Sequence, residues 1–156
     1  MSPLSESTQY REALEPDAIF KLLIAGAILF LGYLLMIPYR DENVPRILLL
    51  FILIALIGSF MAFRRLKIEV SEIGLRVGFR ILGSEILFSD IKDIEVIDPP
   101  FWRYGGLGYR LGLDGSIGYV LNFREGIRIS RKNGRDIFFS TDNPGELATI
   151  LKKSLS

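Results

Sequence analysis

Polarity along the chain changes character twice. From Leu22 to Tyr39 no charged residue interrupts an apolar run that, with Ala18, Ile19 and Phe20 ahead of Lys21, is about 20 residues long. A helix rising about 1.5 Å per residue needs that length to cross about 30 Å of hydrocarbon. A second uncharged run extends from Ile47 to Phe63, and reaches back to Val44 if Arg46 snorkels towards headgroups. Neither run has the polar stripe at helical spacing that a helix of a soluble bundle turns to water. The pattern therefore predicts transmembrane helices over about 18–37 and 44–63. The connection from Pro38 to Pro45 is too short for anything but antiparallel neighbours, so residues 18–65 form a two-helix hairpin. Small residues on both helices (Ala25, Gly26, Ala27, Gly32; Ala55, Gly58, Ser59, Ala62) permit close backbone approach. Residues 1–17 are polar and acidic (Glu6, Glu12, Glu15, Asp17), whereas a signal peptide starts short and basic.

After Arg65 the period becomes two. Ile68 and Val70 alternate with Lys67 and Glu69, and Leu75, Val77, Phe79 and Ile81 with Arg76, Gly78 and Arg80, which predicts a hairpin of two half-buried strands. Leu82-Gly83-Ser84 turns the chain into a strand at Glu85 to Ser89, and Ile91 to Asp98 follows after a break at Asp90. Asn133-Gly134 is a hairpin signal between Gly126–Lys132 and Arg135–Ser140, and Asp114-Gly115 a second between Tyr109–Leu113 and Ile117–Phe123. Asn143-Pro144-Gly145-Glu146 supplies a cap, a first-turn proline and a glutamate that reaches back. Leu147, Ile150, Leu151 and Leu155 then share one helical face. Residues 66–156 are thus expected to form a mainly-β domain, a meander of about seven short antiparallel strands capped by one C-terminal helix.

This strand pattern, the stretch Leu87-Phe88-Ser89-Asp90-Ile91-Lys92-Asp93-Ile94-Glu95-Val96, the Asn133-Gly134 hairpin and the final helix resemble bacterial and archaeal pleckstrin-homology-like (PH-like) domains that follow a two-helix membrane hairpin. The resemblance implies a PH-like fold and a habit of binding proteins or lipids without enzyme chemistry. One departure limits it. Phosphoinositide-binding members place Lys and Arg around the first hairpin turn, here Ser71-Glu72-Ile73-Gly74, so inositide binding is not carried onto any residue.

Composition narrows the chemistry further. Hydrophobic residues are 49% and charged ones 24%, and mean hydropathy is +0.33, high for a chain that must cover itself with polar atoms. With no Cys and no His, disulfides, thiolate nucleophiles, Cys/His zinc sites and imidazole bases are excluded. A net charge of +1, spread along the chain, lacks the concentrated basic footprint of a nucleic-acid binder. Asp90, Asp93, Glu95 and Asp98 lie close in sequence but have no His partner, and read as solvated strand edges and turns. Gly105, Gly106 and Gly108 sit in no βαβ unit, so they are not a dinucleotide loop. The expectation is a protein without catalysis, cofactor or resident metal.

Orientation follows from basic residues at the helix ends. Arg64, Arg65 and Lys67 after the second run, with Arg11 and Lys21 around the start of the first, outweigh Arg40 and Arg46 in the connection. Both termini and the domain are expected on the cytoplasmic side of the plasma (inner) membrane. Arg64, Arg65 and Lys67 are candidates for contact with anionic headgroups. The segment Pro99 to Arg110 holds the single Trp, and Phe101, Trp102, Arg103, Tyr104 and Arg110 are its interface or ligand candidates. Counting strands in a meander that starts at the membrane brings the fourth back towards it, which would set residues 101–104 at headgroup level. The function expected is a membrane-anchored adaptor or accessory subunit that binds a partner protein or self-associates. The alternative is a lipid-headgroup sensor using residues 99–110. Expected partners are membrane lipids and a membrane or cytoplasmic protein, with homo-oligomers included and nucleic acid excluded.

Overall fold

The computed structural model describes residues 8–37, 46–98, 106–122 and 124–155. The chain divides into two compact units: one is Pro16–Arg64, and the other joins the chain before it, up to Glu15, to the chain after it, from Arg65.

The first unit holds helices α1 (Ala18–Met36) and α2 (Arg46–Phe63), which pack on each other. Helix α1 ends where Ile37 turns extended (φ −71°, ψ 128°), as the residue before a proline tends to do. It has no buried residue, and α2 buries only Leu49. Large apolar side chains such as Leu29, Phe30, Phe51 and Ile54 face outward along both. Both helices are long and apolar enough to cross a membrane. The connection from Pro38 to Pro45 lies outside the described residues.

The second unit begins with a strand that the polar reading of residues 1–17 did not anticipate. β1 (Thr8–Leu14) pairs antiparallel with β2 (Leu66–Ser71), which follows the helices. β3 (Gly74–Gly78) and β4 (Gly83–Leu87) complete an antiparallel sheet in the order β1-β2-β3-β4. Alternation explains the strand: Tyr10, Glu12 and Leu14 stand opposite Val70, Ile68 and Leu66, and Leu14 is 1% exposed. On the other face a row of opposite charges crosses all four strands. Arg11 pairs with Glu69 at 3.2 Å, Glu69 stands in register with Arg76, and Arg76 pairs with Glu85 at 3.6 Å.

A short 3-10 turn, Phe88–Asp90, carries the chain into the second sheet: β5 (Ile91–Ile97), β6 (Gly108–Leu111), β7 (Ile117–Val120), β8 (Gly126–Arg131) and β9 (Ile137–Ser140). Their order is β5-β8-β9-β7-β6, and β7 and β9 run parallel. Among the described residues of 66–156 there are thus eight strands where about seven were expected, β1 adds a ninth from outside that span, and the second sheet is not a simple antiparallel meander. Burial accounts for the order. All of β9 is buried, as are Ile127 and Ile129 of β8, so the apolar β8–β9 hairpin takes the centre and leaves the edges to β5 and β6. Both turn signals lie in loops, at 112–116 and 132–136, where Gly115 (φ +78°) and Gly134 (φ +111°) take the left-handed conformation.

Helix α3 (Pro144–Leu155) packs on β5, β8 and the 88–90 turn. Leu147 and Leu151 are fully buried and Ile150 partly so. Leu155, expected on the same face, is 40% exposed because the last turn ends in solvent, and Ala148 fills the packed face instead. Glu12 of β1 holds the lead-in to this helix: its carboxylate accepts from Thr141 Oγ1 (2.6 Å) and Asp142 N (2.9 Å). The two sheets meet at Tyr119, whose hydroxyl bonds the Ser84 hydroxyl (2.7 Å) and whose ring lies 6.1 Å from Phe79.

Truncating either end of this arrangement should be costly. Leu14→Ala and Leu151→Ala are each expected to lower unfolding free energy by about 2 to 5 kcal/mol. Lys152→Ala, on the wet side of α3, should change it by less than about 0.5 kcal/mol. Denaturant melts of the full chain in detergent check this, and a neutral Leu14→Ala would remove β1 from the folded core.

Candidate functional site

Both helices are joined in the chain to the same end of two neighbouring strands, β1 and β2. Leu14, the last residue of β1, pairs with Leu66, the first of β2. Three residues (Glu15-Pro16-Asp17) lead from Leu14 into α1, and two (Arg64-Arg65) lead from α2 to Leu66. Across this junction Arg65 Nε and Nη2 each lie 3.1 Å from Glu15 Oε1. With the two side chains 56% and 47% exposed, the pair contributes little energy by itself, but it closes the two chain segments into a loop. Lys67 follows on the outer face between Ala13 and Gly78, and Arg64 and Lys67 are both exposed. Of the sequence candidates, Arg65 and Lys67 therefore lie at the start of β2, and Arg64 precedes them in the chain.

Arg110 belongs elsewhere. It lies on β6, the edge strand of the other sheet, where its Nε donates to the Leu107 carbonyl (2.9 Å) and its guanidinium closes over Gly106. Its role in the structure is to fasten its own loop. Phe101, Trp102, Arg103 and Tyr104 lie outside the described residues. The residues flanking that segment do have a place: Ile97 and Leu107 pack against Val120 and Phe138. Val120 adjoins Tyr119, which touches Phe79 and Ser84 on either side of the β3–β4 turn.

Within the acidic stretch from Asp90 to Asp98, Asp90 and Asp93 have structural tasks. Asp90 accepts from Arg131 Nε (2.7 Å) and from the Asn133 amide (3.0 Å), while Lys132 Nζ donates to the Ser89 carbonyl (2.9 Å). Together they clip the turn between the sheets to the β8–β9 loop. The hydrogen-bonded Arg131 guanidinium holds the Asp90 carboxyl below its ordinary value of 3.8. Asp93 accepts from its neighbour's amide, Ile94 N, at 2.8 Å, and Glu95 and Asp98 are exposed. A second clip forms where Arg128 meets Asp136 at 2.8 Å and Asp114 at 3.4 Å, joining the 112–116 and 132–136 loops.

Sequence reasoning missed the contribution of β1 to the first sheet. Its signal was the alternation of Tyr10, Glu12 and Leu14 with Arg11 and Ala13, hidden because the inner position 12 is a carboxylate. Burial, with Glu12 nearby, pushes the pKa of the Tyr10 hydroxyl above its ordinary value of 10.0. Burial likewise raises that of Tyr119.

The Asp90 clip predicts an acid dependence. A carboxyl held below its unfolded value adds stability above about pH 4, and that contribution is lost as pH falls through the lowered folded value. Asp90→Asn should therefore melt at lower temperature than the parent at pH 7, and the gap should close on acidification. Thermal scans from neutral to acid pH read this, and a gap that is constant with pH would contradict it.

No family model matches the chain, and no curated protein or solved structure shows significant similarity to it, so its function has to be argued from its own geometry.

Proposed function

We propose that the protein is a non-catalytic binding module anchored in the plasma (inner) membrane. Its hairpin holds the two-sheet unit at the cytoplasmic surface, where it serves as an adaptor or accessory subunit for a partner protein or a second copy. The observation that carries this reading is the pairing of β1 with β2, strands that precede and follow the helices. Strands on opposite sides of a bilayer cannot share a ladder of backbone hydrogen bonds. A hairpin whose ends are joined in one sheet is therefore an anchor with its working unit on one side. The basic cluster Arg64, Arg65 and Lys67 in the sequence supports the cytoplasmic side.

Two sheets packed with one helix also suit the binding role that the PH-like resemblance implies. The first hairpin turn supports a protein partner over a phosphoinositide. Ser71 Oγ donates to the Gly74 carbonyl (3.0 Å) and accepts from Gly74 N (3.3 Å), closing the turn on itself, and Glu72 is exposed there. The second reading, a lipid-headgroup sensor using residues 99–110, draws on one observation. The residues flanking that segment pack next to Tyr119, on the side of the β3–β4 turn.

Reporters fused ahead of residue 8 and after Ser156 test the anchor, and mass measurement on the full chain in detergent tests the partnership. Both reporters should read cytoplasmic, and the protein particle, extracted in detergent from its native membrane together with whatever co-purifies, should exceed the mass of one protomer. Reporters on opposite sides, or a lone monomer, would contradict the proposal.

A further inference from the structure

The β3–β4 turn, residues 79–82, turns Arg80, Ile81 and Leu82 outward, with Ile81 64% and Leu82 39% exposed. Tight hairpin tips ordinarily carry Asn, Asp or Gly, so adjacent exposed aliphatics there ask for a covering. The turn is firmly built. Phe79 N donates to the Leu82 carbonyl (2.7 Å), and below it Gly78 pairs with Gly83 so closely that a Cβ at 78 would run into Gly83 Cα and the Leu82 carbonyl. Phe79 is buried with its ring against Tyr119.

Register gives the turn its place. Leu14 pairs with Leu66, and Lys67 with Gly78, so Phe79 stands level with Leu66. One row therefore holds the ends of β1 and β2, where the helices attach, together with the base of this turn. Arg80 and Ile81 project beyond it. Adjacent strands lie about 4.8 Å apart, which keeps the turn within about 10 Å of Leu66. Leu66 in turn is three residues from Phe63, the end of α2, at most about 10 Å of extended chain. A headgroup layer extends about 5 to 7 Å beyond the hydrocarbon on each side.

Charge agrees with position. This end of the sheet carries Arg65, Lys67 and Arg80, partly offset by Glu15, which pairs with Arg65. At the opposite end, exposed Ile73 and Leu87 accompany Glu72, in a turn with no basic residue.

We propose that the β3–β4 turn docks on an anionic lipid surface, with Ile81 and Leu82 at the boundary of headgroups and acyl chains and Arg80 among the phosphates. The inference rests on the reading that α1 and α2 span the bilayer. It adds a third point of attachment to the two helix junctions, and three points fix the tilt of the unit on the membrane.

The test uses the full chain in liposomes of phosphatidylcholine and phosphatidylglycerol, with brominated acyl chains as contact quenchers. Since the natural chain has no Cys, single variants Ile81→Cys, Ile73→Cys and Ile54→Cys each carry one environment-sensitive fluorophore. The probe at 81 should be blue-shifted and lose about half its emission to brominated lipid, as a side chain at interface depth does, while that at 73 stays in water. The probe at 54, inside α2, reports on the span itself. Quenching at 54 with none at 81 would overturn the docking and leave the anchor standing, whereas no quenching at 54 would overturn both. Blue-shifted but unquenched emission at 81 would assign the cover to a second copy of the chain, and also overturns the proposal.

Discussion

A backbone ladder joins only strands that reach each other, and β1 and β2 are separated in sequence by both apolar helices. Their pairing, from Thr8 opposite Ser71 to Leu14 opposite Leu66, is the constraint from which the rest of the arrangement follows. It draws the entry to α1 and the exit from α2 to the same end of two neighbouring strands. It buries Leu14 and places Glu12 where its carboxylate can organise the chain entering α3. A segment that would otherwise be a short polar tail is thereby tied to the far end of the chain.

The remainder of the β-unit is held by side chains that work between elements. The row Arg11, Glu69, Arg76, Glu85 puts alternate charges on the outer face of the first sheet, each pair weak and the series mutually compatible. Asp90 with Arg131, and Arg128 with Asp114 and Asp136, fasten loops at one end of the second sheet. The apolar side chains of β8 and β9 occupy its centre. Asp90, Asp114, Arg128, Arg131 and Asp136 thus have structural employment, and the β3–β4 turn is among the surfaces that the fold leaves facing outward.

Much of this was legible in the amino-acid sequence because it rests on period and length. The two apolar runs became α1 and α2 almost residue for residue, the alternation from Ile68 to Val77 became β2 and β3, and Asn143-Pro144 opened α3, whereas Ile81, expected on the inner face of the second strand, lies exposed in the turn beyond Gly78. The parts that were not legible depend on partners distant in sequence. β1 has a charged residue on its inner face, satisfied only by Thr141 and Asp142. The parallel pairing of β7 with β9 follows from competition for the buried centre of a sheet, which no local pattern encodes. Leu155 satisfies the helical spacing but lies past the surface it was expected to cover. Arg64, Arg65 and Lys67 were visible as a basic cluster in the sequence, and Arg110 looked equivalent to them until its bond to the Leu107 carbonyl gave it a local task. Strand counting placed the end of Ile91–Asp98 towards the membrane, but the chain changes sheets at Phe88–Asp90, so the count does not carry past β4.

The pairing of β1 with β2 can be measured directly in a chain that has no cysteine of its own. Ala13 and Lys67 face each other in the ladder, so the double variant Ala13→Cys, Lys67→Cys places two thiols at disulfide distance. Mild oxidation of membranes carrying the full chain should give an intramolecular disulfide, identified as a linked peptide pair by mass spectrometry. Arg11→Cys with Lys67→Cys, out of register by two residues, should give far less of it. Two free thiols in the first variant, or equal cross-linking in both, would contradict the central claim that the strand ahead of the hairpin and the strand behind it form one sheet.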